Sequence, residues 1–131
     1  MRELSMGKII VSALLENFVT DTSYGEVDLL VDTGAALVGL TPDIIQKLQL
    51  IKTGERWSIT TNGRVKRSIY SGLRISVMDR TVTLEVCDLP LGTPNLLGYI
   101  ALELMDFIVI PNEQKLAANP DHQNEFLMDL C

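Results

Sequence analysis

Alternation of apolar and polar residues predicts β-strands along most of the chain. Residues 8–15 and 26–32 are the first two predicted strands. The first is a short apolar run that indicates a buried strand. In the second, Val27, Leu29 and Val31 share one face, because side chains alternate across a strand.

Two hairpins follow. Their predicted strands cover residues 55–61, 64–70, 73–78 and 81–86. Asn62-Gly63 between the first pair is a strong two-residue turn signal, whereas Asp79-Arg80 between the second pair is a weaker one. Alternate apolar side chains share a face on each strand of the second hairpin: Leu73, Ile75 and Val77, and Val82, Leu84 and Val86.

Two short helical patterns interrupt the strands. Thr41 can cap the first helix and Pro42 suits its first position. Its inward stripe is apolar: Ile44, Ile45 and Leu48. The second helix is predicted over residues 99–105, and short strands are predicted at residues 106–110 and 115–118.

The pattern therefore predicts an all-β protein, mainly β with two short helices, in a small barrel-like or sandwich-like domain. The chain has 131 residues, 47% of them apolar, which is enough for one core. No linker or repeat divides it, so one domain is expected over residues 1–131. Its core is expected at about residues 8–118, with a C-terminal tail at 119–131.

The net charge and the hydropathy of the chain limit the kinds of partner and the location that are expected. The formal net charge is -6 and no basic stripe is evident, so neither nucleic acid nor an anionic membrane is expected as a partner. The apolar run at residues 9–15 is far shorter than the roughly 20 residues that span a bilayer. It also lacks the leader and cleavage site of a signal sequence. A cytoplasmic protein is expected.

The cysteines suggest no cofactor. Cys87 and Cys131 belong to no C-x-x-C pair and are expected to be free thiols in a reducing compartment. Together with His122, the one histidine, they lack the spacing of a zinc site, and no metal is predicted. The sequence leaves a Cys–His nucleophilic pair open, although no local motif favours it.

The segment that carries candidate chemistry is Leu29-Leu30-Val31-Asp32-Thr33-Gly34-Ala35. An apolar strand ends at Asp32 and anchors it rigidly, as a catalytic site requires. Gly34 permits a tight backbone, so that amide groups can approach the Asp32 carboxylate. The tripeptide alone also occurs as an ordinary β-turn with a capping Asp.

With its flanking residues, this segment resembles the retroviral-type aspartic peptidases (retropepsins), whose pattern is apolar-apolar-Asp-Thr/Ser-Gly-Ala. Two more landmarks follow in the family's order. Thr60-Thr61-Asn62-Gly63-Arg64 fits a flap hairpin, and Leu96-Leu97-Gly98 fits the second apolar-apolar-Gly before a helix. The resemblance covers roughly residues 8–118 and is closer to the small prokaryotic and cellular members. It implies a closed, barrel-like, single-lobe acid protease fold.

The resemblance also implies a homodimer that hydrolyses peptides. The chain has one Asp-Thr-Gly, so the carboxylate pair would be Asp32 from each subunit. Carboxylates that close cannot both ionise easily, and they share one proton while activating water. The other implied roles are loop support by Thr33, Gly34 and Ala35, and substrate binding by Gly34, Ala36, Thr61, Asn62 and Gly63.

The chain departs from the family at three places. Tyr99 stands where many viral members have an Arg that ties the helix to the active-site loop. Ala36 stands where many carry a polar residue that binds the substrate backbone. The tail after Ala118 is longer than in the viral enzymes, whose chain ends build the dimer interface.

Two other readings stay open. The first is a dimeric peptide-binding module of the same fold with weak or no activity, because fold alone does not establish function. The second is an unrelated β domain with a chance Asp-Thr-Gly.

Two further residues have no expected catalytic role. Asp28, on the strand face of Asp32, is expected to be solvated or structural. Trp57 is expected to pack in the core or at the base of the flap.

Overall fold

The computed structural model describes residues 8–123 and 125–127, so Cys131 lies outside the described residues. Within these residues the chain is mainly β, with two short α-helices, as predicted. The strands are β1 (Ile10–Asn17), β2 (Thr22–Val31), β3 (Val38–Leu40), β4 (Ile51–Thr60), β5 (Gly63–Val77), β6 (Arg80–Asp88), β7 (Leu96–Leu97), β8 (Phe107–Ile110) and β9 (Lys115–Ala118). The helices are α1 (Pro42–Lys47) and α2 (Tyr99–Leu104), with 3-10 turns at Pro111–Glu113 and Pro120–His122.

Seven strands form one sheet in the order β1-β2-β7-β3-β6-β5-β4, and β1 also pairs with β5. Six strands therefore close into a ring, with β4 attached outside it along β5. Two of the pairings are parallel, β2 with β7 and β3 with β6. Strands β8 and β9 form a separate antiparallel pair. No helix among the described residues is long and apolar enough to cross a membrane.

The core lies inside this ring and follows the predicted alternation. On β5, Leu73, Ile75 and Val77 are all buried, whereas their neighbours Arg74 and Ser76 are partly exposed. Residues from every part of the ring join them: Leu15, Leu29, Val38, Val86 and Leu97. Each fully buried side chain of this size stabilises the fold by roughly 1.5–3 kcal/mol. The predicted inward stripe of the first helix is also confirmed, but Thr41 makes no side-chain capping hydrogen bond.

The predicted break between residues 70 and 73 is wrong. Strand β5 continues through it, and the pairing register with β6 shifts between Tyr70 and Leu73. Gly72 has a φ of 112°, a conformation that costs glycine little and that bends the strand at an irregularity. The two strands predicted over residues 64–70 and 73–78 are thus one long strand, which serves both the ring and the hairpin with β4.

The predicted turn at Asp79-Arg80 is also wrong, by one residue. The turn is Met78-Asp79, with Met78 at a φ of 55°, and Arg80 begins β6. The Arg80 side chain is only 2% exposed. Its guanidinium donates hydrogen bonds to the carbonyls of Met105 (2.7 Å) and Asp106 (2.8 Å), just after α2. A buried cation thereby satisfies carbonyl groups at the end of that helix.

The first part of the predicted tail is attached to the domain through Asp106. Its carboxylate accepts hydrogen bonds from the Asn119 side chain and the Leu127 backbone N–H, and it contacts His122 Nδ1 at 2.5 Å. The hydrogen bond with His122 is the largest cause that lowers the pKa of Asp106. The imidazole of His122 is therefore engaged by a carboxylate.

Candidate active site

The Asp32 loop begins where β2 lies beside β7. Leu30 pairs with Leu96 and Val31 with Leu97 in the parallel register. The Asp32 backbone N–H extends this pairing by donating to the Leu97 carbonyl at 3.0 Å. Two apolar segments far apart in sequence thus fix the position at which Asp32 leaves the sheet.

Local hydrogen bonds then fold the loop around the Asp32 carboxylate. The Gly34 N–H donates to Asp32 Oδ1 at 2.9 Å, and the Ala35 N–H donates to the Asp32 carbonyl at 3.1 Å. A Cβ at Gly34 would lie 3.2 Å from Oδ1, tighter than most contacts of that kind. Glycine therefore allows the close approach of amide and carboxylate that the sequence predicted.

Helix α2 is attached to the same loop by its backbone. The N–H of Tyr99 donates to the Ala35 carbonyl at 2.8 Å, and that of Ile100 donates to the Ala36 carbonyl at 3.1 Å. These two amides precede the first intrahelical bonds, so the loop provides their partners. The Tyr99 side chain is 44% exposed. The link between helix and loop therefore needs no arginine at position 99, because backbone groups make it.

Gly98 makes this attachment possible. A Cβ at Gly98 would lie 2.4 Å from the Leu37 carbonyl oxygen, 2.6 Å from that of Ala35 and 2.7 Å from that of Ala36. Real Cβ atoms essentially never come so close to backbone. The sequence predicted Gly98 as a landmark, and the structure gives its physical reason: three loop carbonyls occupy the space of its side chain.

One positioning residue was not predicted from the sequence. Asn95 accepts a hydrogen bond from the Thr41 N–H on its side-chain oxygen (2.9 Å), and its backbone carbonyl accepts from the Leu30 N–H (2.8 Å). It thereby joins the start of α1 to β2 and to the loop before β7. Its place directly before Leu96-Leu97-Gly98 was the available signal, but these partners lie more than 50 residues away.

The exposed end of the loop faces solvent in the single chain. Asp32 is half-buried, and Thr33 and Gly34 are exposed. Ala35 and Ala36, further along, are partly buried against α2. The candidate carboxylate thus lies at the surface of one chain, beside a polar Thr-Gly tip that a second molecule can reach.

The predicted flap is a hairpin with a slightly different turn. Thr61 and Asn62 form the turn, and Gly63 begins β5 with a φ of 112°. Thr60 Oγ1 donates to the Gly63 carbonyl at 2.7 Å and accepts from the Asn62 N–H at 3.2 Å. These hydrogen bonds are all made within the hairpin. The chain therefore holds the tip and the Asp32 loop as two separate exposed segments.

The expectation for Asp28 agrees with the structure, whereas the one for Trp57 does not. Asp28 is exposed, as expected for a solvated residue. The prediction that Trp57 packs in the core or at the flap base is wrong, because its side chain is 57% exposed on β4. The Arg64 guanidinium lies 4.5 Å from the centre of its ring and Lys66 Nζ lies 5.7 Å away. Cations from β5 cover part of the ring in place of a hydrophobic core.

The cysteine chemistry left open by the sequence gains no support. Cys87 is a free, partly buried thiol, and burial raises its pKa. A thiol that stays protonated is a poor nucleophile. His122 is engaged with Asp106.

No protein-family model and no curated protein matches this chain.

Proposed function

We propose that the chain is one half of a homodimeric, retropepsin-like aspartic endopeptidase. The observation that carries the proposal is the arrangement around Asp32. An apolar strand delivers the carboxylate into a Thr-Gly loop, and the Leu97-Gly98 segment with α2 supports that loop through backbone hydrogen bonds. Such support holds a catalytic group on rigid elements. Two of the family's landmarks, Asp32-Thr33-Gly34 and Leu96-Leu97-Gly98, which are far apart in sequence, are joined by these hydrogen bonds, and the third is an exposed hairpin tip.

The dimer supplies the second carboxylate. A chain of this size with one Asp-Thr-Gly needs a partner copy, and a two-fold axis beside the exposed Thr33-Gly34 tip would bring two Asp32 side chains together. The pair would hold one proton. One carboxylate takes a proton from the attacking water, while the protonated one donates to the carbonyl oxygen of the peptide.

The β4–β5 hairpin is the proposed flap. Thr61, Asn62 and Gly63 are exposed at its tip, and the hairpin is free of the core beyond Ile69. Closure of such a hairpin over a peptide would exclude water and add backbone hydrogen-bonding groups. Gly34 and Ala36 would line the opposite side of the peptide. A cytoplasmic setting would keep Cys87 as a thiol.

Hydrolysis should be faster below neutral pH. Peptides with apolar residues on both sides of the cleaved bond are the substrates to test. Rising pH removes the shared proton, and with it the acid that protonates the carbonyl. Initial rates across a pH series, with a pepstatin-type inhibitor titrated to one molecule per dimer, would check this. Equal rates from mildly acidic to strongly alkaline pH, or loss of activity to a chelator, would contradict the mechanism.

Mixed dimers test whether each site needs two chains. After free subunit exchange, an equal mixture of wild type and Asp32→Asn should keep about a quarter of the wild-type activity at the same total concentration, since only wild-type pairs hold both carboxylates. Activity would be measured after verifying exchange with differently tagged subunits. If half the activity remains, each chain holds a complete site. Sedimentation that shows only monomer under assay conditions would lead to the same conclusion.

A binding module is the second candidate function. Ala36 favours it, because its methyl group offers no hydrogen bond to a substrate and its carbonyl is already used by Ile100. Such a module would bind peptides at the same cleft without turnover. Peptide binding measured together with product formation separates the two candidates.

A further inference from the structure

The hairpin from Ile51 to Arg67, called the basic hairpin below, differs in charge from the rest of the protein. It contains five basic residues and one acidic residue: Lys52, Arg56, Arg64, Lys66 and Arg67, and Glu55. Its formal charge of +4 contrasts with -6 for the whole chain. The sequence showed no basic stripe because these residues are divided between two strands, and the turn brings them together.

Two arginines face each other across the basic hairpin. Arg56 on β4 pairs directly with Arg67 on β5, so both side chains leave the same face of the sheet. Like charges directly opposite each other destabilise a strand pair. Within the described part of the chain, neither guanidinium forms an ion pair with a carboxylate. The protein thus keeps two facing cations without an internal anion between them.

On the opposite face of the basic hairpin, the charged side chains contact other side chains of the hairpin. Glu55 forms ion pairs with Lys52 (3.0 Å) and Lys66 (3.3 Å), and the Arg64 guanidinium lies over Trp57. These cations are engaged within the hairpin. The Arg56–Arg67 pair is therefore the part of the basic hairpin that is open to an external anion.

We propose that the Arg56–Arg67 pair binds an acidic side chain of the peptide and so selects substrates with Asp or Glu near the cleaved bond. The inference rests on the proposed function, because it treats the basic hairpin as the flap. Two guanidinium groups on one face can donate several hydrogen bonds to one carboxylate. A bound carboxylate would also offset the repulsion between the two guanidinium groups.

The charge distribution favours a short acidic peptide over other anions. The residues outside the basic hairpin carry a formal charge of -10, which would repel a long polyanion such as nucleic acid. A peptide segment that reaches only the hairpin avoids most of that repulsion. The acidic surface of a second copy is a competing occupant, and the state of association tests it.

The experiment uses a set of peptides with one apolar cleavage site and Asp or its uncharged isostere Asn at each flanking position in turn. For wild type, kcat/KM at the best position should be about tenfold higher with Asp than with Asn. Arg56→Gln and Arg67→Gln should each lower that ratio to about twofold or less. Raising the salt concentration to about 0.5 M should also lower it.

Lys66→Gln is the matched control. It removes one positive charge from the same hairpin but on the opposite face, so the Asp/Asn ratio should stay near tenfold. Circular dichroism and melting temperature would show that all three variants fold, and the two arginine variants should melt no lower than wild type. Equal ratios in wild type and the arginine variants, or an equal loss in Lys66→Gln, would overturn the inference.

A binding measurement distinguishes a failure of this inference from a failure of the proposed function. Trp57 is the one tryptophan of the chain and lies on the hairpin, so its fluorescence reports occupancy directly. Asp-containing peptides should bind Asp32→Asn protein about tenfold more tightly than their Asn counterparts. If this preference holds but wild type cleaves no peptide, the peptidase proposal fails, and the Arg56–Arg67 pair is a binding site for acidic peptides rather than a determinant of cleavage. A preference for a DNA oligonucleotide, or dissociation of the dimer by Arg67→Gln, would overturn the inference.

Discussion

Asp32→Asn is expected to lower kcat/KM for peptide hydrolysis by at least about a thousandfold, with the fold retained. The amide cannot take a proton from water or deliver one to the substrate, so the chemical step fails. The loop should survive, because Asn keeps a carbonyl oxygen at the Oδ1 position. That oxygen can still accept the 2.9 Å hydrogen bond from the Gly34 N–H.

Asp28→Asn is the control that matches this change in chemistry. Asp28 lies on β2, the strand that leads to Asp32, and it is also an aspartate with an exposed side chain. Its substitution should leave both activity and melting temperature close to those of wild type, since an exposed substitution of this kind changes stability by about 0.5 kcal/mol or less. Purified proteins from one preparation would be compared by initial rate and thermal melt. Equal activity in Asp32→Asn and Asp28→Asn would remove Asp32 from the mechanism.

Much of the fold follows from residue patterns that act locally. The alternation of Leu73, Ile75 and Val77 determined which face of β5 is buried, and Pro42 with the Ile44-Ile45-Leu48 stripe determined α1. The loop around Asp32 was also predictable, because the Gly34 amide needs only a contact two residues away. Short-range sterics and side-chain period suffice for such features.

The features that sequence reasoning missed depend on distant parts of the chain. The turn at Met78-Asp79 differs from the predicted one because Arg80 is held inside the protein by the carbonyls of Met105 and Asp106. An arginine normally stays at the surface, so the local pattern assigned it to a turn. Its burial depends on partners some 25 residues further along the chain, which no local rule identifies.

The exposed position of Trp57 has a similar explanation. A tryptophan in an apolar-polar alternation normally predicts a buried ring. Here the strand extends beyond the core, and cations at paired and neighbouring positions of β5 cover the ring. The β4–β5 pairing runs from Ile51–Ser71 out to Thr60–Gly63, and Trp57 lies on this extended part, opposite Lys66.

Gly98→Ala is expected to destabilise the protein by about 3 kcal/mol or more and to abolish activity. The added Cβ would meet three backbone carbonyl oxygens at 2.4–2.7 Å. Backbone cannot rotate away as a side chain can, so α2 and the Asp32 loop must separate. The hydrogen bonds from the Tyr99 and Ile100 amides to that loop would then lengthen or break. The melting temperature should fall by about 10 °C, or the protein should fail to fold.

Alanine substitutions at two other glycines are controls for which smaller losses of stability are expected. Gly54→Ala adds the same methyl group to β4 at a position with nothing within 4 Å, so the melting temperature should change little. Gly39→Ala meets side-chain atoms of Leu89, the nearest at 2.7 Å, and rotation of that side chain should give an intermediate loss. Thermal melts of the three variants, with activity assays on those that fold, would measure the order. A Gly98→Ala protein as stable and active as Gly54→Ala would mean that α2 does not support the Asp32 loop, and the proposed active site would lose its structural basis.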